Sequence, residues 1–173
     1  KESNAAVAVA SEDFIAATHF LRAQPGTGDR LGVVGFCYGG AIANRLAVAL
    51  PELAAAVPFY GSAPPLDDVG AIKAELLLHF AANDERVNAS WPPYEEALKA
   101  SGVKYTAHVY PNTQHGFHND TTPRYDAEAA QLHQLLQSPD NRPIALIGPR
   151  LSGKTTVLHE VVRRRVARRG KPY

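Results

Sequence analysis

The run Leu31-Gly32-Val33-Val34-Gly35-Phe36-Cys37-Tyr38-Gly39-Gly40 decides how this chain of 173 residues is read. An apolar stretch, Leu31 to Val34, leads into glycines on either side of Cys37, and Ala41 to Leu50 then reads as a helix. A strand that turns sharply into a helix, with a nucleophile at the apex, is a nucleophile elbow. Glycine is needed there because the turn is strained and crowded, and the nucleophile must stand clear of its neighbours. Serine is the usual elbow nucleophile; here the position carries a thiol. The plain alternative is a small buried residue, the commonest fate of a free cysteine.

The rest of the chain favours the elbow. An α/β-hydrolase supplies its acid after the nucleophile and its histidine after the acid. Asp84 follows the strand-like run Leu76-Leu77-Leu78-His79-Phe80, within Ala82-Asn83-Asp84-Glu85-Arg86-Val87. His115 follows the strand-like run Tyr105 to Tyr110, within Asn112-Thr113-Gln114-His115-Gly116-Phe117. Both lie just past the carboxyl ends of strands, where open α/β sheets place their sites.

These three motifs, the cysteine elbow, the Asn83-Asp84-Glu85-Arg86-Val87 loop and the Gln114-His115-Gly116-Phe117-His118-Asn119-Asp120 loop, resemble the dienelactone hydrolase family (carboxymethylenebutenolidase-like). The resemblance covers about residues 1–130. It implies an α/β-hydrolase fold with a Cys-His-Asp triad: Cys37 attacks, His115 activates it, and Asp84 orients the imidazole. The backbone N–H of Tyr38 would supply half of an oxyanion hole. It further implies a small ester or lactone as substrate, a thioester acyl-enzyme, and no cofactor for the hydrolase. A thiol at a helix N-terminus beside an imidazole has a lowered pKa, and the thiolate is the reactive form.

Other residues of this half take plainer readings. Glu85 and Arg86 read as a solvated pair. His118 is close to His115 in sequence but lacks the following Gly-Phe. His79, inside an apolar strand, reads as a core histidine. Tyr60 and Trp91 read as packing aromatics rather than pocket walls, and His19 and His108 carry no functional reading. No group of His, Asp or Glu has metal-ligand spacing.

A second motif stands at the far end. Residues Gly148-Pro149-Arg150-Leu151-Ser152-Gly153-Lys154-Thr155 are a full match to the P-loop pattern G-x-x-x-x-G-K-[ST]. The strand-like Pro143-Ile144-Ala145-Leu146-Ile147 precedes it and a helix-forming run follows it. Gly148, Ser152, Gly153, Lys154, Thr155 and Thr156 would then hold the phosphates of ATP or GTP, with Thr155 on magnesium. Only eighteen residues follow Thr155, with no second acidic strand end. The segment therefore resembles the opening of a P-loop ATPase, able to bind nucleotide but lacking the parts for hydrolysis.

Charge divides the chain at the same place. Residues 1–141 carry 9 Lys and Arg against 16 Asp and Glu, a net of −7; residues 142–173 carry 9 against one, a net of +8. The expected organisation is a hydrolase-like domain over 1–133, a linker over 134–141, and a strand–P-loop–helix segment over 142–173. The basic tail reads as a solvated helix end rather than a nucleic-acid surface.

About thirty residues precede the elbow strand and read as one helix, Ser11 to Gln24, with Ser11 as N-cap. The strands expected on the far side of the elbow strand are missing from this stretch, as is the early loop that donates the second oxyanion N–H. Loss of one such donor costs about 3 kcal/mol of transition-state stabilisation. The open edge would invite self-association, unless Ile144–Ile147 fills it. No apolar run is long enough for a membrane span, and one cysteine excludes an internal disulfide, which fits the cytoplasm. The expected fold class is α/β, a partial α/β-hydrolase parallel sheet with flanking helices followed by the P-loop segment. The expected function is hydrolysis of small activated esters or lactones, the alternative a nucleotide-binding module carrying an inactive hydrolase portion.

Overall fold

The computed structural model of the protein describes residues 2–25, 31–130 and 144–147, the first eight and last four of these by backbone alone. The P-loop residues Gly148, Ser152, Gly153, Lys154, Thr155 and Thr156 lie outside the described residues.

Helix α1 (Glu2–Arg22) opens the fold, followed by strand β1 (Gly32–Phe36), helix α2 (Tyr38–Ala49) and strand β2 (Ala55–Phe59). A 3-10 helix (Leu66–Ala71) leads to strand β3 (Glu75–Asn83), helices α3 (Glu85–Asn88) and α4 (Trp91–Ala100), strand β4 (Tyr105–Gln114) and strand β5 (Ile144–Ile147). The strands form one sheet in the order β4-β3-β2-β1-β5, and every neighbouring pair is parallel. Parallel strands send all their carboxyl ends to one edge of the sheet. That edge receives Cys37, Tyr60, Asp84 and His115, each the residue directly after a strand.

Strands β1, β2 and β3 are covered on both faces, which is why they read as nearly continuous apolar runs rather than alternating ones, whereas β4 is largely exposed. Alternate residues still go to opposite sides. Val33, Leu76, Leu78 and Phe80 join a core with Ile42 and Leu46 of α2, Val87 of α3, and Tyr94 and Leu98 of α4. Val34, Phe36, Phe59 and Ala81 face the other way and pack with Tyr60, Phe117 and Ala129. Burial of each large apolar side chain stabilises the fold by about 1.5–3 kcal/mol over its exposed state.

Two expectations are corrected here, and the alternative that Ile144–Ile147 fills the edge of the elbow strand is borne out. The first helix begins near Glu2, not Ser11: the run Ala5-Ala6-Val7-Ala8-Val9-Ala10 propagates it, and Ser11 lies buried within the helix rather than capping it. The second helix starts at Tyr38, three residues before Ala41, so Cys37 itself is its N-cap. The elbow strand has no open edge. Gly32 to Gly35 of β1 pair in parallel with Ile144 to Ile147, the segment read as the start of the P-loop unit.

Candidate active site

Cys37 stands at φ 57° and ψ −118°, a backbone conformation that a residue with a Cβ adopts only at a cost of order 1–3 kcal/mol. Its surroundings hold it there. The Cys37 N–H donates to the Phe59 carbonyl at 3.0 Å, and the Cys37 carbonyl accepts from the N–H groups of Gly40 and Ala41 at 2.9 and 3.2 Å. Glycine is obligatory two residues earlier, because a Cβ on Gly35 would lie 1.9 Å from the Gly39 carbonyl oxygen. The sequence's tight turn is thus a steric fact, and it lifts the thiol out of the sheet edge to a half-buried position.

His115 faces the thiol. Its Nε2 lies 3.0 Å from Cys37 Sγ, and its Nδ1 lies 2.5 Å from Asp84 Oδ2. Asp84 is buried, its carboxylate 6% exposed, and it also N-caps α3: Oδ1 accepts from the Val87 N–H at 3.4 Å. One carboxylate therefore both orients the imidazole and starts the helix that follows it. The three residues singled out from sequence are brought together in a chain of side-chain hydrogen bonds, across 78 and 31 residues of sequence.

Electrostatics follow from these contacts. The hydrogen bond with His115 holds the Cys37 thiol below its ordinary value; partial burial opposes this, while the His115 charge, the Tyr38 N–H and the Arg86 charge add to it. His115 is raised, chiefly by its hydrogen bond with Cys37; desolvation opposes, and Asp84 reinforces. A thiolate beside an imidazolium is the state both shifts favour. The Tyr38 N–H, on the first turn of α2, is directed at Sγ.

His118 is kept apart from this group. It is buried against Phe36 and Phe59, with ring centroids at 4.7 and 5.0 Å, and burial drops its pKa to about 4. His79 is a core histidine, stacked on Phe59 at 4.1 Å and bonded through Nδ1 to the Tyr110 hydroxyl at 2.8 Å. Glu85 and Arg86 are exposed, and Trp91 packs on Phe80, Tyr94 and Tyr105. Tyr60 differs from its sequence reading as mere packing: it is buried with its ring 4.9 Å from that of His115. Sequence shows its position directly after an apolar run, but not its contact with His115.

A parallel α/β sheet with a cysteine elbow after β1, an acid after β3 and a histidine after β4 defines the class as an α/β-hydrolase-like protein. The chain belongs to the dienelactone hydrolase family, whose profile matches residues 2–138. A putative carboxymethylenebutenolidase of Methylorubrum extorquens is 34% identical over 113 residues, 59% of this chain and 39% of that protein. The crystal structure of a putative dienelactone hydrolase from Klebsiella pneumoniae superposes with a TM-score of 0.68 at 27% identity, covering 75% of this chain and 60% of that one. A dienelactone hydrolase-like promiscuous phosphotriesterase, P91, from metagenomic libraries superposes with a TM-score of 0.59 at 28% identity, over 66% of this chain and 53% of that one. The chain thus spans between 39% and 60% of the length of these relatives.

Proposed function

We propose that the protein hydrolyses small activated esters or lactones, with Cys37 as nucleophile, His115 as general base and acid, and Asp84 as the group that orients His115. The observation that carries this reading is the hydrogen-bonded chain from Sγ through the imidazole to the Asp84 carboxylate, at 3.0 and 2.5 Å. Family membership supports it.

The chemistry runs in two halves. The Cys37 thiolate adds to the carbonyl carbon, and the π electrons move to the carbonyl oxygen, which the Tyr38 N–H is positioned to receive. The tetrahedral species collapses by breaking the C–O bond, and His115 Nε2 gives its proton to the departing alkoxide or enolate. A thioester on Cys37 remains. His115, now neutral, takes a proton from water as the water oxygen attacks the thioester carbonyl. Collapse of that second intermediate breaks the C–S bond, releasing the acid and returning the thiolate. Asp84 holds the ring at Nδ1 and stabilises the imidazolium formed at each stage. An enol-type leaving group suits this site, because it departs without needing a strongly acidic proton donor.

The test is turnover of p-nitrophenyl acetate by the purified chain beside Cys37→Ala, with mass spectrometry of the intact protein to detect acetyl-Cys37. Turnover should vanish in the variant, and the acetyl group should appear on the native chain alone. Undiminished turnover in Cys37→Ala would overturn the assignment.

A further inference from the structure

Tyr60 ends β2 with φ 39°, a left-handed value that is an outlier for a bulky side chain and is kept only where the surroundings enforce it. Both flanks are fixed. The Tyr60 N–H donates to the His79 carbonyl at 2.7 Å, and the preceding Phe59 carbonyl holds the Cys37 N–H at 3.0 Å. On the other flank, Gly61 lies against Gly40 of the elbow helix, where a Cβ on residue 61 would meet the Gly40 carbonyl carbon at 2.2 Å. The corner Phe59-Tyr60-Gly61 is thereby fastened to the elbow that carries the thiol.

The Tyr60 side chain reaches the other half of the site. Its ring makes T-shaped contacts with His115, at 4.9 Å and 60°, and with Phe117, at 5.2 Å and 69°. Its hydroxyl oxygen accepts from the His118 backbone N–H. Three residues of the loop His115–His118 therefore rest on one side chain. Asp84 fixes His115 at Nδ1 alone, and a ring held at a single point can still swing about that hydrogen bond. The Tyr60 ring edge supplies the second constraint.

We propose that Tyr60 is a positioning residue that locks the His115 loop to the cysteine elbow and so sets the Nε2–Sγ approach. The assignment rests on the triad reading for its catalytic meaning, though not for its effect on the thiol. The charged and titratable groups facing Tyr60 are Cys37, His115, His118 and Arg124. Burial raises the phenol, chiefly by desolvation, so it stays neutral and serves as a hydrogen-bond acceptor for the loop.

The test pairs Tyr60→Phe with Tyr60→Leu in the full chain, read by iodoacetamide alkylation of Cys37 against pH and by kcat and KM for p-nitrophenyl acetate. Tyr60→Phe keeps the ring and loses the hydroxyl tie, so kcat should fall roughly fivefold with KM little changed. Tyr60→Leu loses both; kcat should fall on the order of a hundredfold, and the alkylation inflection should move up toward the ordinary thiol value of about 8.5. A cooperatively folded Tyr60→Leu with the native alkylation profile would overturn the proposal. Should Tyr60→Leu fail to fold, an unchanged kcat and profile in Tyr60→Phe would overturn it instead. If the native chain shows no ester turnover, the hydrolase reading fails by itself, and the alkylation profiles alone decide the role of Tyr60.

Discussion

Asn83 pairs with Gln114 at the last rung of the β3–β4 ladder, just past an irregularity between Ala81 and Asn83. The next residues on each strand, Asp84 and His115, therefore leave the sheet side by side. The 2.5 Å contact between Oδ2 and Nδ1 follows from the register at this last rung, which the irregularity shifts by two residues relative to the pairs from Leu76–Tyr105 to Ala81–Tyr110.

This shared origin separates two roles of Asp84 by substitution. Asp84→Asn keeps an oxygen able to cap α3, while the carboxylate that orients and stabilises the imidazolium is lost. Activity should fall by about 10²–10⁴-fold with little change in melting temperature. Asp84→Ala removes the cap as well and should destabilise the fold by a further ~1 kcal/mol. Kinetics and thermal melts of the two variants check this. Equal loss of stability in both would show that the cap is not what distinguishes them.

Gly61 offers a test of the bracket that holds the elbow. A methyl group there must displace the backbone of Gly40 and Ala41, since a Cβ would lie 2.2 and 2.5 Å from their atoms. No flexible side chain can yield in its place. Gly61→Ala should cost about 1–3 kcal/mol of stability and shift the thiol away from His115. Urea denaturation measures the first effect, and the rate of Cys37 alkylation at neutral pH the second.

The pH dependence follows from two opposed shifts. The Cys37 thiol is lowered, first by its hydrogen bond with His115, and His115 is raised, first by its hydrogen bond with Cys37. Alkylation needs the thiolate, so its rate should rise with pH through an inflection below the ordinary thiol range of about 8.5. His115→Ala removes the largest cause and should move that inflection upward. In the proposed mechanism, ester hydrolysis needs the thiolate together with a protonated imidazole for the leaving group. Its kcat/KM should fall on the acid side as the pair takes up a proton and on the basic side as His115 loses one. A profile that climbs to a plateau and never declines would exclude His115 as the proton donor.

The convergence of Cys37, Asp84 and His115 was legible in the sequence because each comes after a strand-like run, and a parallel sheet turns that local pattern into a shared location. The helix start was missed because capping signals point to Ser11, whereas the alanine-rich stretch before it has the propensity to continue the helix without a cap. The extent of β4 was missed for a different reason. Its last residues, Pro111-Asn112-Thr113-Gln114, carry turn chemistry, and Asn112 does adopt φ 62°, yet the ladder to β3 resumes beyond it. Tyr60 could not be found by pattern, because its importance lies in a contact with a loop 55 residues away that only the folded chain creates. The pairing of β5 with β1 is similarly non-local, and it was legible only as one way to fill the open edge, since apolar character alone does not select a neighbour.

The buried histidines of the second core predict how the fold responds to acid. Desolvation is the main cause that lowers His79 to about 3 and His118 to about 4, from an ordinary 6.5. Both Nε2 atoms are buried and have no hydrogen-bond partner among the described residues, so Nε2 has no acceptor there for a second proton. The unfolded chain binds protons at these positions below about pH 6.5, whereas the folded chain does not until near pH 4. Stability should therefore be unaffected by these groups above pH 7 and decline as pH falls through 6.5, by about 2 kcal/mol per histidine at pH 5. Urea unfolding at pH 7 and pH 5 gives the difference. In His118→Phe, which can occupy the same aromatic pocket between Phe36 and Phe59, the decline should be about half as steep. An acid-induced loss of stability identical to that of the native chain would show that His118 is already solvated in the folded state.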